Sequence, residues 1–119
     1  MGSGYIEQDL SAGVRHVHRA LASLQEELEA IDYYNQRADR SEDGELKAIF
    51  IHNRDEEIEH ACMLLEELRR TMPEFDATMR RYLFNAKSVT EVEADGKAHD
   101  LGLAGLKPNS LTAKARSTP

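Results

Sequence analysis

Residues 10–31 read LSAGVRHVHRALASLQEELEAI, and their apolar members are Leu10, Val14, Val17, Leu21, Leu24, Leu28 and Ile31. The steps between them alternate between four and three, the spacing that draws a continuous apolar seam along one side of an α-helix. With no Pro or Gly after Gly13, the seam predicts a helix over residues 7–37, roughly 45 Å long at 1.5 Å per residue. A polar break follows at Asp39-Arg40-Ser41-Glu42-Asp43-Gly44, in which Ser41 or Asp43 can cap the next helix. The second seam is Leu46, Ile49/Phe50, Asn53, Glu57, His60, Leu64 and Leu68. It predicts a helix over residues 42–70, with Arg69 and Arg70 suited to the negative end of its dipole. Thr71-x-x-Glu74 with Pro73 reads as a capping box opening a third, short helix with Phe75, Met79, Tyr82 and Leu83 on one face. Beyond Asn85 the periodicity stops, apart from a weak strand-like run at residues 88–92. Residues 1–85 are therefore expected to be the helical domain and residues 86–119 a flexible tail.

Two long helices joined by a short break imply an antiparallel hairpin. A hairpin cannot cover two apolar seams by itself, so this all-α chain is expected to pair with a second copy in a four-helix bundle. Composition agrees. The chain has 119 residues, no Trp, four Tyr and three Phe, few anchors for a core of its own, and small domains usually need a metal or a partner. Its net charge of −7 is concentrated in residues 1–85, at −8, against +1 in the remainder. An acidic body repels nucleic acid and anionic membranes and attracts cations, so neither nucleic acid nor a membrane is expected as a partner. No stretch approaches the roughly 18 apolar residues of a membrane span, and the polar start, Tyr5–Asp9, has no signal-peptide character. The lone Cys62 excludes an internal disulfide and fits a reducing, cytoplasmic setting. It reads as a small packing residue.

The second seam is polar at its middle. Glu57 and His60 stand at i and i+3 on one helix face, and Glu27 lies on the flank of the first seam. In a hairpin turning near residues 41–42, Glu27 falls within one helical turn of both. Three potential metal ligands thus meet at one height. Buried unpaired carboxylates are costly, and a cation, a proton or solvent removes the cost. Di-iron carboxylate bundles use a Glu from each of two helices and a Glu-x-x-His from each of two more. This chain holds half of that set, and two copies about a twofold axis would complete it.

Three blocks carry a resemblance: Glu26-Glu27-Leu28-Glu29-Ala30-Ile31-Asp32-Tyr33-Tyr34-x-Gln36-Arg37, His52-Asn53-Arg54-Asp55-Glu56-Glu57-x-Glu59-His60-Ala61 and Arg80-x-Tyr82-Leu83-Phe84. In these the sequence resembles the encapsulated ferritins, iron-oxidising cargo of encapsulin nanocompartments. The resemblance implies a ferritin-like four-helix bundle made by two hairpins, assembly into a decameric ring, and two iron ions at each dimer interface. It makes Glu27, Glu57 and His60 the ferroxidase ligands, with Tyr34 beside the iron pair. It assigns Glu26 and Glu29 to an outer acidic site that draws cations inward and can take Ca or Zn. Tyr33 departs from the tryptophan of that family. In the tail, Asp100-Leu101-Gly102-Leu103-Ala104-Gly105-Leu106-Lys107 resembles the peptide by which cargo docks inside an encapsulin shell. The implied function is a ferroxidase that oxidises Fe(II) with dioxygen and supplies iron for mineral inside that shell. The residues alone leave two rivals: a non-redox divalent-metal-binding adaptor, and a plain helical interaction module.

Overall fold

A computed structural model describes residues 4–100, which contain four α-helices: α1 (Ala12–Arg40), α2 (Gly44–Thr71), α3 (Pro73–Tyr82) and α4 (Val89–Asp100). They fall into two compact units, one ending at Met72 and the other starting at Pro73. Among the described residues there is no strand, so the all-α expectation holds. Residues 101–107 of the docking-peptide resemblance lie outside the described residues.

The first unit is the hairpin. Its α1 starts five residues later than expected because Asp9 adopts a left-handed φ of 57°, a conformation that ends helical continuity for a residue with a Cβ. Ser11 then caps the helix, its hydroxyl accepting from the Val14 amide at 3.2 Å. Residues 4–10 turn back along α1, where the Tyr5 ring lies 4.1 Å from the His18 ring and Arg15 donates to the Leu10 carbonyl. At the hairpin turn Asp43 is the cap, its carboxylate accepting from the Glu45 and Leu46 amides at 2.9 Å each.

Burial along α1 divides the seam in two. Leu24 is buried and Val17 and Ile31 are half-buried, whereas Val14, Leu21 and Leu28 are exposed, Leu28 at 52%. A single partner helix covers only one side of a seam with this spacing. On α2 the residues at the matching spacing are Phe50, Glu57, Ala61 and Leu64, with Ala61 buried and the others half-buried. Ala20 and Ala61, both buried, are small enough for close approach of the helices. His60 is displaced from the line that the sequence suggests, Ala61 taking the inner place. Cys62 is exposed rather than packed, next to the equally exposed Met63. Toward the end of α2, Glu66 accepts from Arg69 through Nε at 2.8 Å and Nη2 at 2.7 Å, and from Arg70 Nε at 2.6 Å.

Two expectations for the chain from the end of α2 onward are corrected. The Thr71–Glu74 capping box does not form: Thr71 is the last residue of α2 and its hydroxyl donates back to the Glu67 carbonyl at 2.9 Å. Pro73 does open α3, where its missing N–H costs nothing. Residues 89–100 are helical where a flexible tail and a weak strand were expected. The cause is a capping box at Ser88-x-x-Glu91, in which the Glu91 amide donates to the Ser88 hydroxyl at 3.3 Å and the Ser88 amide to the Glu91 carboxylate at 3.4 Å. Gly96, in the interior of α4, lies against the Arg81 guanidinium, which a Cβ there would meet at 2.8 Å. Lys87 and Asp95 form an ion pair at 2.7 Å.

The hydrogen bonds from Arg69 and Arg70 hold the Glu66 carboxyl down to about 2, against an ordinary value of 4.5. A carboxyl depressed in the folded state stabilises the fold above its unfolded pKa and loses that effect as pH falls toward the folded one. The stability difference between the parent and Glu66→Gln is therefore expected to be constant above pH 4.5 and to shrink steadily toward pH 2, as read by denaturation across that range.

Candidate metal centre

Helix geometry places Glu57 and His60 on one face of α2, and the hairpin brings Glu27 of α1 opposite them. The register is that of a turn at residues 41–43: the Tyr34 and Phe50 rings are 6.2 Å apart, and His16 Nε2 lies 2.9 Å from Glu67 Oε2. Within this frame His60 Nδ1 is 3.3 Å from Glu57 Oε1 and 3.5 Å from Glu27 Oε1. One donor atom from each of the three residues lies within 4.8 Å of the others. Atoms sharing one ion at about 2.1 Å each can be no more than about 4.2 Å apart, so both histidine–carboxylate distances already suit a common cation. The Glu27 and Glu57 side chains are about one-quarter exposed and His60 is 47% exposed, so the cluster is open on one side.

The electrostatics follow from these contacts. The hydrogen bond with Glu57 raises the Glu27 carboxyl above its usual range, with partial desolvation and the Glu57 charge acting the same way and His60 opposing them. A carboxylate charge beside a second carboxyl disfavours its ionisation, which is the direction of the Glu27 shift. Desolvation acts to lower His60, but its hydrogen bond to Glu57 and the charges of Glu27 and Glu57 outweigh that, and the imidazole stays above its ordinary value. Two carboxylates and an imidazole form a mixed oxygen–nitrogen set compatible with iron, manganese or zinc.

The other residues singled out by sequence lie elsewhere. Tyr34 is two turns along α1 from Glu27, half-buried, with the Arg37 guanidinium 5.3 Å from its ring centre and Phe50 on its other contact. Glu26 and Glu29 are exposed. Glu29 accepts a hydrogen bond from Tyr33 Oη at 3.0 Å, which pushes the phenol up from its usual range. Among the described residues, neither these two glutamates nor His52 joins a group of three or more possible metal donors. Sequence reasoning missed two ties between the helices, His16–Glu67 and Arg54–Asn35 (Arg54 Nη1 to Asn35 Oδ1, 3.1 Å). No local motif announces them, because each joins residues far apart in the chain.

The sequence model of the EncFtn-like family matches residues 4–86. The chain belongs to the EncFtn-like family. Its all-α hairpin is accordingly of the ferritin-like helical kind. A ferritin-like protein of Thermotoga maritima is 45% identical over 104 residues, covering 82% of this chain and 91% of that protein. An encapsulated ferritin-like protein of Rhodospirillum rubrum is 48% identical over 97 residues, covering 82% of this chain and 69% of that protein. A crystal structure of a Nitrosomonas europaea protein superposes with a TM-score of 0.69 at 57% identity, covering 72% of this EncFtn-like chain and 97% of that one.

Replacing Glu57 by Gln removes one of the two competing charges and leaves a donor in its place. In the metal-free protein this is expected to lower the Glu27 carboxyl and the His60 imidazole toward or below their ordinary values, read by NMR titration of the two side chains. An unmoved Glu27 would mean that the two carboxyls are not in contact.

Proposed function

We propose that the chain is the iron-oxidising subunit of an assembly held inside an encapsulin shell. The observation that carries the reading is the convergence of Glu27, Glu57 and His60. In this reading Fe(II) is the substrate, and two copies face each other so that two Glu27, two Glu57 and two His60 hold two iron ions. The four carboxylates then balance the charge of two Fe(II), and the imidazoles complete the mixed donor sets. The paired ions deliver two electrons to one dioxygen, and the resulting Fe(III) carries more charge than the site neutralises, which favours its release toward mineral. The protein's part is to hold two ions close together, roughly 3.5–4 Å as in other two-metal sites, and to keep one side open to oxygen. Tyr34 lies on the same flank of α1, two turns from Glu27, where it can hydrogen-bond a ligand or donate an electron. Glu26 and Glu29 contribute negative potential that draws cations, including Ca or Zn, toward the centre.

Unpartnered apolar residues support a second copy. Leu46 and Ile49, both exposed, follow the same side of α2 as Glu57 and His60, three turns earlier. The exposed stripe Val14, Leu21 and Leu28 lies roughly 100–140° around α1 from Glu27 at 100° per residue. Two separate faces on one hairpin favour a ring of copies, such as a decamer, over a closed dimer. The Rhodospirillum rubrum relative is an encapsulated ferritin-like protein, which supports cytoplasmic residence inside a shell, docked through residues 100–107.

Anaerobic loading with Fe(II) followed by air is expected to give oxygen uptake in proportion to iron, at a rate well above the protein-free reaction. Glu57→Ala and His60→Ala are expected to fall to the protein-free rate. Metal binding without oxygen uptake would favour the non-redox adaptor. Because six donors at an empty interface repel one another, Fe(II) or another divalent ion is also expected to raise the solution mass measured by size-exclusion with light scattering; equal mass distributions with and without metal would exclude the shared site.

A further inference from the structure

The three donors of the metal centre do not come equally from the two helices. Glu57 and His60 are fixed relative to each other by one turn of α2, whereas Glu27 is the sole donor from α1. A slide of α1 by a single residue moves Glu27 by 1.5 Å along the axis and turns it by 100°, which is enough to take it out of the set. Within the cluster only the weak contact with His60, 3.5 Å away, and the contact with Glu57 oppose such a slide, and the like charges of the two glutamates work against them when both are ionised. A further hold on the register from outside the cluster is therefore valuable.

We propose that Arg54 is the positioning residue that fixes the register of α1 against α2 and so keeps Glu27 opposite Glu57 and His60. Arg54 stands one turn before Glu57 on α2. Its Nε and Nη2 donate to Asp55 Oδ1 at 3.1 and 3.0 Å, which leaves Nη1 aimed across the groove at Asn35 Oδ1, 3.1 Å away on α1. The planar fork is thus immobilised by its neighbour on the same helix, and little side-chain freedom is lost in reaching the other. The side chain is 29% exposed, and it lies roughly 120° around α2 from His60, so it braces the hairpin without touching the metal.

The inference rests on reading Glu27, Glu57 and His60 as metal donors, and Co(II) titration of the full chain separates the two. Arg54→Ala is expected to keep its helicity, to bind Co(II) about tenfold more weakly, the order of loss found when groups that orient ligands are removed, and to shift the visible absorption of the bound ion. Asn35→Ala, which leaves the Arg54–Asp55 contact intact, is expected to do the same, and Asn35→Asp, which offers Arg54 a charged acceptor, to restore the parent affinity and spectrum. Parent-like affinity and spectrum in both Arg54→Ala and Asn35→Ala, with binding abolished by Glu57→Ala, would overturn the register role alone. Unchanged binding in Glu57→Ala as well would overturn the site reading and the register role together.

Discussion

The structure turns on a contact that a helical seam would ordinarily avoid: two glutamates and a histidine, Glu27, Glu57 and His60, brought together along the flank of the seam where α1 meets α2. Glu57 beside it raises the proton affinity of Glu27, an unfavourable pairing of carboxylates, whereas the two carboxylates hold the His60 imidazole above its ordinary value, a favourable contact that offsets part of it. The packing around the cluster brings these groups together. Small residues such as Ala20 and Ala61 let the helices close in. Polar ties at His16–Glu67 and Arg54–Asn35 hold the helices together on either side of the cluster along their length.

The hairpin is also unfinished as a folded object, because a single partner helix covers only one side of the seam. Its apolar seam is wide, yet Val14, Leu21, Leu28, Ile49 and Ile58 stay exposed. Fully burying an exposed side chain of this kind is worth about 1.5–3 kcal/mol, and these are already about half covered, so roughly half of that remains available to a partner surface. Under the proposed function, assembly and ion binding would be parts of one equilibrium.

Much of this was legible in the residues. The four-three spacing of the first seam, the hairpin and its register near residues 41–42, and the level placement of Glu27 against Glu57 and His60 all appear in the structure as read. The failures concern caps. Thr71-x-x-Glu74 and Ser88-x-x-Glu91 are the same motif on paper, but α2 extends through Thr71 and turns its hydroxyl back on Glu67, whereas Ser88 follows an Asn85 turn and is free to cap α4. A cap motif works only where the preceding helix has already ended.

Helical periodicity is a local property, so sequence alone determined which residues share a face, where the hairpin turns and which donors stand level. It could not choose which half of the Leu10–Ile31 seam meets α2, since both halves are equally apolar and only the packing of two particular helices breaks the tie. It could not place Arg54 on Asn35 either, nor move His60 to the flank and Ala61 to the centre. Those outcomes depend on the rotation and spacing of α1 and α2 about each other, quantities that exist only once the two helices are in contact.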